Sequence, residues 1–503
     1  MPLSAWRLRL LIVSLLTVSF LGALDHTVVA TSLATITGEL GAVEQMSWVI
    51  VSYTLASTVL LPVLGKLADL VGARLVFLSS LALFVVASLF CGLAQDITQL
   101  AIARVAQGVG SAGLHLMPQT IVGEVTSPRE RPKVMSWIGA AFPIAILVGP
   151  IAGGLITDAW GWRWIFWINI PVGMIALALA VIAVPHIAGR SGRRFDIVGA
   201  LVLGVTVTAF VFAASWASAG TPGTGIPLLI AAVVAIVGLA AFIAIELRVS
   251  EPVVPLRHFA NRTILVCIVL STVIGVGLFS VVSYVPTYIQ MAYGVSATVS
   301  GLVPIATVFG MLVSTLVTGS LASRSGHYRA FPIFGTAAAA IGLFLMALLP
   351  PGLPLWVPML AMGLVGIGTG AYMNIIVAVA QSAAPRTDTG SVTATISLVR
   401  QVGSTTATAI VGGLIGVGVT AGLPASLDAS TLTPQAVAAS SAAVQAQVAE
   451  LYSSVLAPIF IGLALAYAVG IVAALLLPHG RLSDELEPQP VVGAENAAET
   501  ATA

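Results

Sequence analysis

The chain has 503 residues, of which 58% are hydrophobic and 8% charged, with a mean hydropathy of +1.07. Soluble proteins carry about 25% charged residues, so an ordinary soluble protein is excluded and a polytopic membrane protein is indicated. The net charge of +1 gives no ground for a nucleic-acid partner, which needs clustered basic residues, and the two cysteines, Cys91 and Cys267, sit in apolar segments that imply no disulfide framework.

At the N-terminus, "MPLSAWRLRLLIVSLLTVSFLGA" pairs a basic start with an apolar run, as a signal peptide does. The run continues past Asp25 to Leu33, too long for a typical leader, and is read as a first retained span. Hydropathy predicts about fourteen spans, near residues 8–33, 47–66, 75–94, 97–123, 134–157, 164–185, 197–217, 226–247, 263–291, 297–322, 331–349, 354–383, 391–421 and 452–477. Alternate loops hold Arg7 and Arg9, Lys66 and Arg74, Arg129 to Lys133, Arg190 to Arg194, Arg248 to Arg262, Arg324 and Arg329, Arg386, and Arg481, whereas the opposite loops hold only Arg163. Basic loops stay cytoplasmic, so both termini are expected inside, with the chain in the cell's inner (plasma) membrane.

Charge-rich stretches divide the chain. A six-helix bundle is expected over 1–195, two linking helices over 196–248, a second six-helix bundle over 249–478, and a polar, disordered cytoplasmic tail over 479–503. The Ala/Ser/Gln-rich segment 422–451 reads as a long outside loop of unassigned role. "GKLADLVGARLVF" (65–77) and "GSLASRSGHYRAF" (319–331) share Gly, Leu, Ala, Gly and Phe at equal offsets, each after the second span of its block. Repeated halves with a site between them near the midplane are the architecture of many secondary transporters.

Asp25 is the one acid deep within either block. At 1.5 Å per residue it lies about 24 Å along the first helix, about 12 Å short of the outer face, and Arg104 lies about 12 Å in along the fourth. A lone charge at such depth costs about 2.5–3.5 kcal/mol on insertion scales, so opposite charges at matching depth suggest a pair. Burial favours the protonated acid and a nearby guanidinium the carboxylate, so a change in either would load or unload a proton; a permanent structural ion pair is the alternative. Arg104, Gln107, Gly108, Ser111 and His115 follow three- and four-residue steps and share one helix face. Gln107 and His115 are candidate relays, with a neutral, hydrogen-bonded histidine as the other reading.

"GVGSAG" (108–113) matches GxGxxG without the βαβ unit that motif needs, so it reads as a packing face. Arg400 falls near mid-depth of its helix with no deep acid in its block, and either packs against carbonyls and water or meets an anionic ligand group. Tyr53, Tyr284, Tyr288, Gln290, Asn374 and Gln381 could line an apolar cavity with a few polar groups.

Four patterns carry a family resemblance: "LDHTVV" (24–29), "GKLADLVGAR" (65–74), "RVAQGVGSA" (104–112) and "ILVGPIAGG" (146–154). With "WRWIFWINIPVG" (162–173), "YVPTYIQMAYGVSATVSGLVP" (284–304) and "SVTATISLVRQVG" (391–403), they resemble the major facilitator superfamily in its fourteen-helix drug:proton antiporter branch. The resemblance implies an all-α fold of two six-helix bundles plus two linking helices. It also implies proton coupling at Asp25 and Arg104, and an antiporter motif at Gly149, Pro150, Gly153 and Gly154. The loop Gly65, Asp69, Gly72 and Arg74 is the expected conformational latch, an ordinary solvated turn being the alternative, although Leu70 and Ser323 depart from the pattern of its two copies.

No GxxxxGK[ST], HExxH or GxSxG is present, so no cofactor is expected and a proton gradient would supply the energy. The expected activity is export of amphipathic or hydrophobic small molecules in exchange for protons, by a protein acting as a monomer in the bilayer. A specific lipid, siderophore or metabolite as cargo, a membrane enzyme, and a non-transporting membrane protein are the alternatives.

Overall fold

The computed structural model describes residues 5–40, 46–187, 189, 195–219, 225–423 and 433–484. Apart from an isolated bridge between His327 and Arg481, the described regular structure is helical. Hydrocarbon offers no hydrogen bonds to the backbone, so a chain this apolar must satisfy its amides within each crossing segment. The first bundle comprises α1 (Ala5–Glu39), α2 (Met46–Val71), α3 (Ala73–Leu93), α4 (Ile97–Val125), α5 (Arg131–Trp160) and α6 (Trp164–Ala183). Two linking helices follow, α7 (Ile197–Ala219) and α8 (Gly225–Glu246). The second bundle holds α9 (Arg262–Tyr293), α10 (Leu302–Ser325), α11 (Ala330–Leu348), α12 (Trp356–Ser382), α13 (Thr389–Gly422) and α14 (Ala442–Leu475).

Thirteen helices among the described residues are long and apolar enough to cross a membrane. The remaining long helix, α4, has 29 residues. Its length is ample at about 1.5 Å per residue, but the polar face through Arg104, Gln107, Ser111 and His115 lowers its hydropathy. Within α9, a π turn over Gly275–Phe279 interrupts the regular helix.

The linking pair does not stand apart from the bundles. α7 packs on α2, with the Trp48 and Phe212 ring centres 5.8 Å apart, and also on α13. The segment leaving α8 is tied to both bundles: Lys66 of α2 pairs with Glu251 at 2.6 Å, while Arg257 Nη2 donates to Asp388 at 2.8 Å and His258 Nε2 lies 3.1 Å from the same carboxylate.

Two segments differ from the sequence-based expectation. Part of 422–451 is helical: Pro434–Ala438 forms a short helix capped by Thr433, and α14 starts at Ala442 behind Ser441. Ala and Gln favour helix where Ser and Thr supply the cap, so the polar composition extends α14 beyond its apolar part. The start of the expected tail is ordered as well, with Arg129 N donating to Ser483 O at 3.0 Å and Leu482 N to Gly326 O at 2.9 Å. Residues 485–503, 424–432 and the basic residues Arg190, Arg193 and Arg194 lie outside the described residues.

Close approach of α5 to α1 places the site. A Cβ at Gly149 would collide with Thr27 Oγ1, and one at Gly153 with Thr31 Oγ1 and the Val28 carbonyl. Thr27 Oγ1 donates to the Ala145 carbonyl across the same contact at 3.2 Å. Gly154 faces open space and Pro150 is exposed, so only Gly149 and Gly153 of this motif bring the helices together. Gly153→Val should therefore destabilise the protein by about 1–3 kcal/mol through overpacking, whereas Gly154→Val should change the apparent Tm in detergent little. Equal Tm losses would refute this assignment of the contact.

Candidate functional site

The two charges expected at matching depth meet. Asp25 and Arg104 are 2% and 1% exposed, and Arg104 Nη1 donates to Asp25 Oδ2 at 2.7 Å. Gln107 Nε2 donates to Asp25 Oδ1 at 2.9 Å, and Asn169 Nδ2 of α6 donates to the same oxygen at 2.8 Å. Gln107 Oε1 in turn accepts from Arg104 Nη1 at 2.7 Å, while Arg104 Nε reaches the Val49 carbonyl at 3.2 Å. The guanidinium lies 3.9 Å from the centre of the Tyr53 ring. A buried pair is tolerated when further hydrogen bonds satisfy both ions, and donors from α4 and α6 do so here.

Asn169 went unnoticed in the sequence. It is the one carboxamide in the predicted span 164–185, and that was the available signal.

His115 is separate from this network. Eleven residues place it about 16 Å from Arg104 along α4, and the charge within its electrostatic reach is that of Arg400 of α13. His26 and His115, although within α1 and α4, are both solvent-accessible.

The residues expected to line one cavity are dispersed. Tyr53 stacks on Arg104, and Tyr284 donates its hydroxyl to the Thr408 carbonyl at 2.9 Å. Tyr288 is buried inside the second bundle, with its ring centre 5.7 Å from that of Phe460. Gln290 lines an outer recess of about 690 Å³ with Pro351, Pro434 and Glu450. Asn374 packs against Gly139 of α5, and Gln381 Nε2 donates to the Gln119 carbonyl at 3.1 Å, so both lie where the bundles touch. Polarity within a span says that a side chain avoids lipid; it does not say whether a cleft or a neighbouring helix receives it.

The bundles are joined at the face carrying the basic loops. Asp69 Oδ1 accepts from Gly390 N at 2.7 Å, and Oδ2 accepts from Ser391 N at 2.9 Å and from the Ser391 hydroxyl. A carboxylate of the first bundle thus caps the positive end of α13 in the second. A Cβ at Gly65 would run into Gly390 and Ala394, so that glycine permits the approach. Gly72 makes the α2–α3 turn at φ +95 against Ile187, and Arg74 Nη2 donates to the Val181 carbonyl at 2.8 Å. At the second copy of the motif, Arg129 holds the last carbonyls of α10, Ser323 O at 3.0 Å and Arg324 O at 2.8 Å, and pairs with Asp484 at 2.5 Å.

Repeated helical bundles and a charged network buried in one of them fit a secondary-transporter architecture. The Major Facilitator Superfamily model matches residues 15–408, and the chain belongs to that superfamily: it is a multi-pass membrane transporter, not an enzyme. An uncharacterized MFS-type transporter of Mycobacterium tuberculosis is 34% identical over 96% of this chain and 71% of its own length. Multidrug transporter protein MdtP of Bacillus subtilis is 32% identical over 79% of this chain and 73% of its own. The crystal structure of the human organic anion transporter MFSD10 shares the fold with a TM-score of 0.62 at 14% identity, covering 93% of this chain and 99% of that one.

Removing the Asp69 carboxylate strips a cap worth about 0.5–2 kcal/mol. In a background lacking Cys91 and Cys267, a cysteine at Ala394 should then react severalfold faster with maleimide in Asp69→Ala than with Asp69 intact. An unchanged rate would show that this carboxylate does not hold the face shut.

Proposed function

We propose that this transporter is a proton-coupled exporter of amphipathic small molecules, working as a monomer by alternating access across the plasma membrane. The observation that carries the proposal is Asp25, a carboxylate buried beside Arg104 and bonded to side chains of two helices. Deep ionisable groups in membrane proteins mark ion and proton paths. Protonation of Asp25 would release Arg104 and weaken the bonds from Gln107 and Asn169, so the proton changes how α1, α4 and α6 hold one another. The neighbouring His26 is solvent-accessible, which offers water a route toward the carboxyl.

The basic face is assigned to the cytoplasm because arginine and lysine are retained there. On that assignment the present conformation is closed inside, and opening inward parts Asp69 from α13 and Arg129 from α10. α4 counts as a spanning helix by its length, making fourteen spans with both termini cytoplasmic. Energy comes from the proton gradient without a cofactor, and the fungal efflux pumps among its relatives, about 30% identical, support an outward direction of transport.

The test is Asp25→Asn in proteoliposomes. The variant should bind cargo but lose pH-gradient-driven transport down to the level of empty vesicles. Breaking one side of a buried pair destabilises by about 3–5 kcal/mol, so a monodisperse gel-filtration profile and retained cargo binding serve as the folding controls. Undiminished gradient-driven export by Asp25→Asn would overturn the proposal.

A further inference from the structure

The second bundle contains a buried cation that has no counter-ion among the described residues. Arg400 is 5% exposed, and its Nη2 is buried without a hydrogen-bond partner. No ion pair of the described residues includes it. The deep acid Asp25 is taken by Arg104, and Asp388 at the start of the same helix is engaged by Arg257 and His258. An uncompensated buried charge is strongly unfavourable, so a group from outside the chain is the natural complement.

Arg400 lies level with a solvent-accessible histidine of the other bundle. Arg400 is eleven residues from Thr389, and His115 ten from Val125 at the same face. At 1.5 Å per residue both stand about 15–17 Å in, on helices of opposite bundles, and they are within electrostatic reach. Phe142 is eleven residues from Arg131, also about 17 Å in. Its ring centre is 6.3 Å from that of Phe279, which bridges the bundles. Phe279 closes the π turn whose first residue, Gly275, presses on the Arg400 carbonyl. Such turns frequently occur at functional sites. A guanidinium, an imidazole and the Phe142 ring thus stand at about one level, with Phe279 packed against that ring.

We propose that Arg400 and His115 form an anion subsite, and that the cargo is an amphipathic acid whose carboxylate pairs with Arg400 while its apolar body lies against Phe142 and Phe279. This deepens the export reading and rests on it for the word cargo. The binding claim itself needs no proton gradient.

The test uses matched probes, a dansylated ω-amino fatty acid and its primary amide, titrated at equilibrium into the full-length protein in phosphatidylcholine nanodiscs. A charge-assisted hydrogen bond is about twice as strong as a neutral one, so wild type should bind the acid at least about tenfold more tightly than the amide. Arg400→Gln should bring the acid down to the affinity of the amide, and Arg400→Lys should keep part of the preference. Equal binding of acid and amide by wild type overturns the proposal, as does an equal weakening of both probes in Arg400→Gln.

The wild-type comparison stands even if Arg400→Gln fails to fold. Repeating it with phosphatidylglycerol in the nanodiscs separates two anion sources. A retained preference supports a free acid, and its loss assigns the subsite to a lipid headgroup and overturns the cargo claim. A failed Asp25→Asn prediction leaves these titrations untouched, and failed titrations leave the proton assignment standing.

Discussion

The architecture turns on burying the Asp25 carboxylate and the Arg104 guanidinium in contact at 2.7 Å, both almost wholly out of solvent. Either charge alone at that depth would cost about 2.5–3.5 kcal/mol on insertion scales. Together they are tolerated only while Gln107, Asn169, the Val49 carbonyl and the Tyr53 ring complete their surroundings. That requirement fixes α1, α4 and α6 relative to one another and brings the first turn of α2, through the Val49 carbonyl, into the same cluster. Gly149 and Gly153 let α5 close on α1 immediately beyond the acid, where any side chain would strike Thr27 or Thr31. A network that must be complete to exist is suited to a switch, since protonating one member loosens the rest.

The contact between the bundles uses a different device, helix ends as electrostatic sockets. Asp69 occupies the positive end of α13, and Arg129 the negative end of α10. The two contacts are related by the internal repeat yet opposite in sign. This accounts for Ser323 at the acid position of the second copy, because at that corner the second bundle presents carbonyls and the first supplies the cation. Helix-end interactions are typically worth about 0.3–1 kcal/mol each at exposed positions.

Much of this was legible in the sequence because bilayer physics is legible there. Run length and hydropathy located the helices, and α4 fell behind the others in hydropathy because of the polar face that carries Arg104 and Gln107 to Asp25. Depth arithmetic paired Asp25 with Arg104 because each helix is a ruler of known rise. Asn169 escaped because an amide inside an apolar run has no opposite charge to be matched with. The dispersal of Tyr288, Gln290, Asn374 and Gln381 escaped because facing direction depends on which helices pack together. The partner of Asp69 is the end of a helix some 320 residues away, and nothing local to "GKLADLVGAR" encodes it.

The unpaired guanidinium of Arg400 also decides how voltage acts on the proposed exchange. When one proton enters as one monoanion leaves, two positive charges effectively move inward; a neutral cargo moves one, and a monocation none. Each charge is worth about 2.3 kcal/mol per 100 mV across the bilayer, so an inside-negative potential would drive export of an acid twice as strongly as export of its amide. A cation carrier using the same aspartate would feel only the pH difference. On the two proposals together, the charge left unsatisfied in the second bundle would set which component of the proton gradient the carboxylate in the first can exploit.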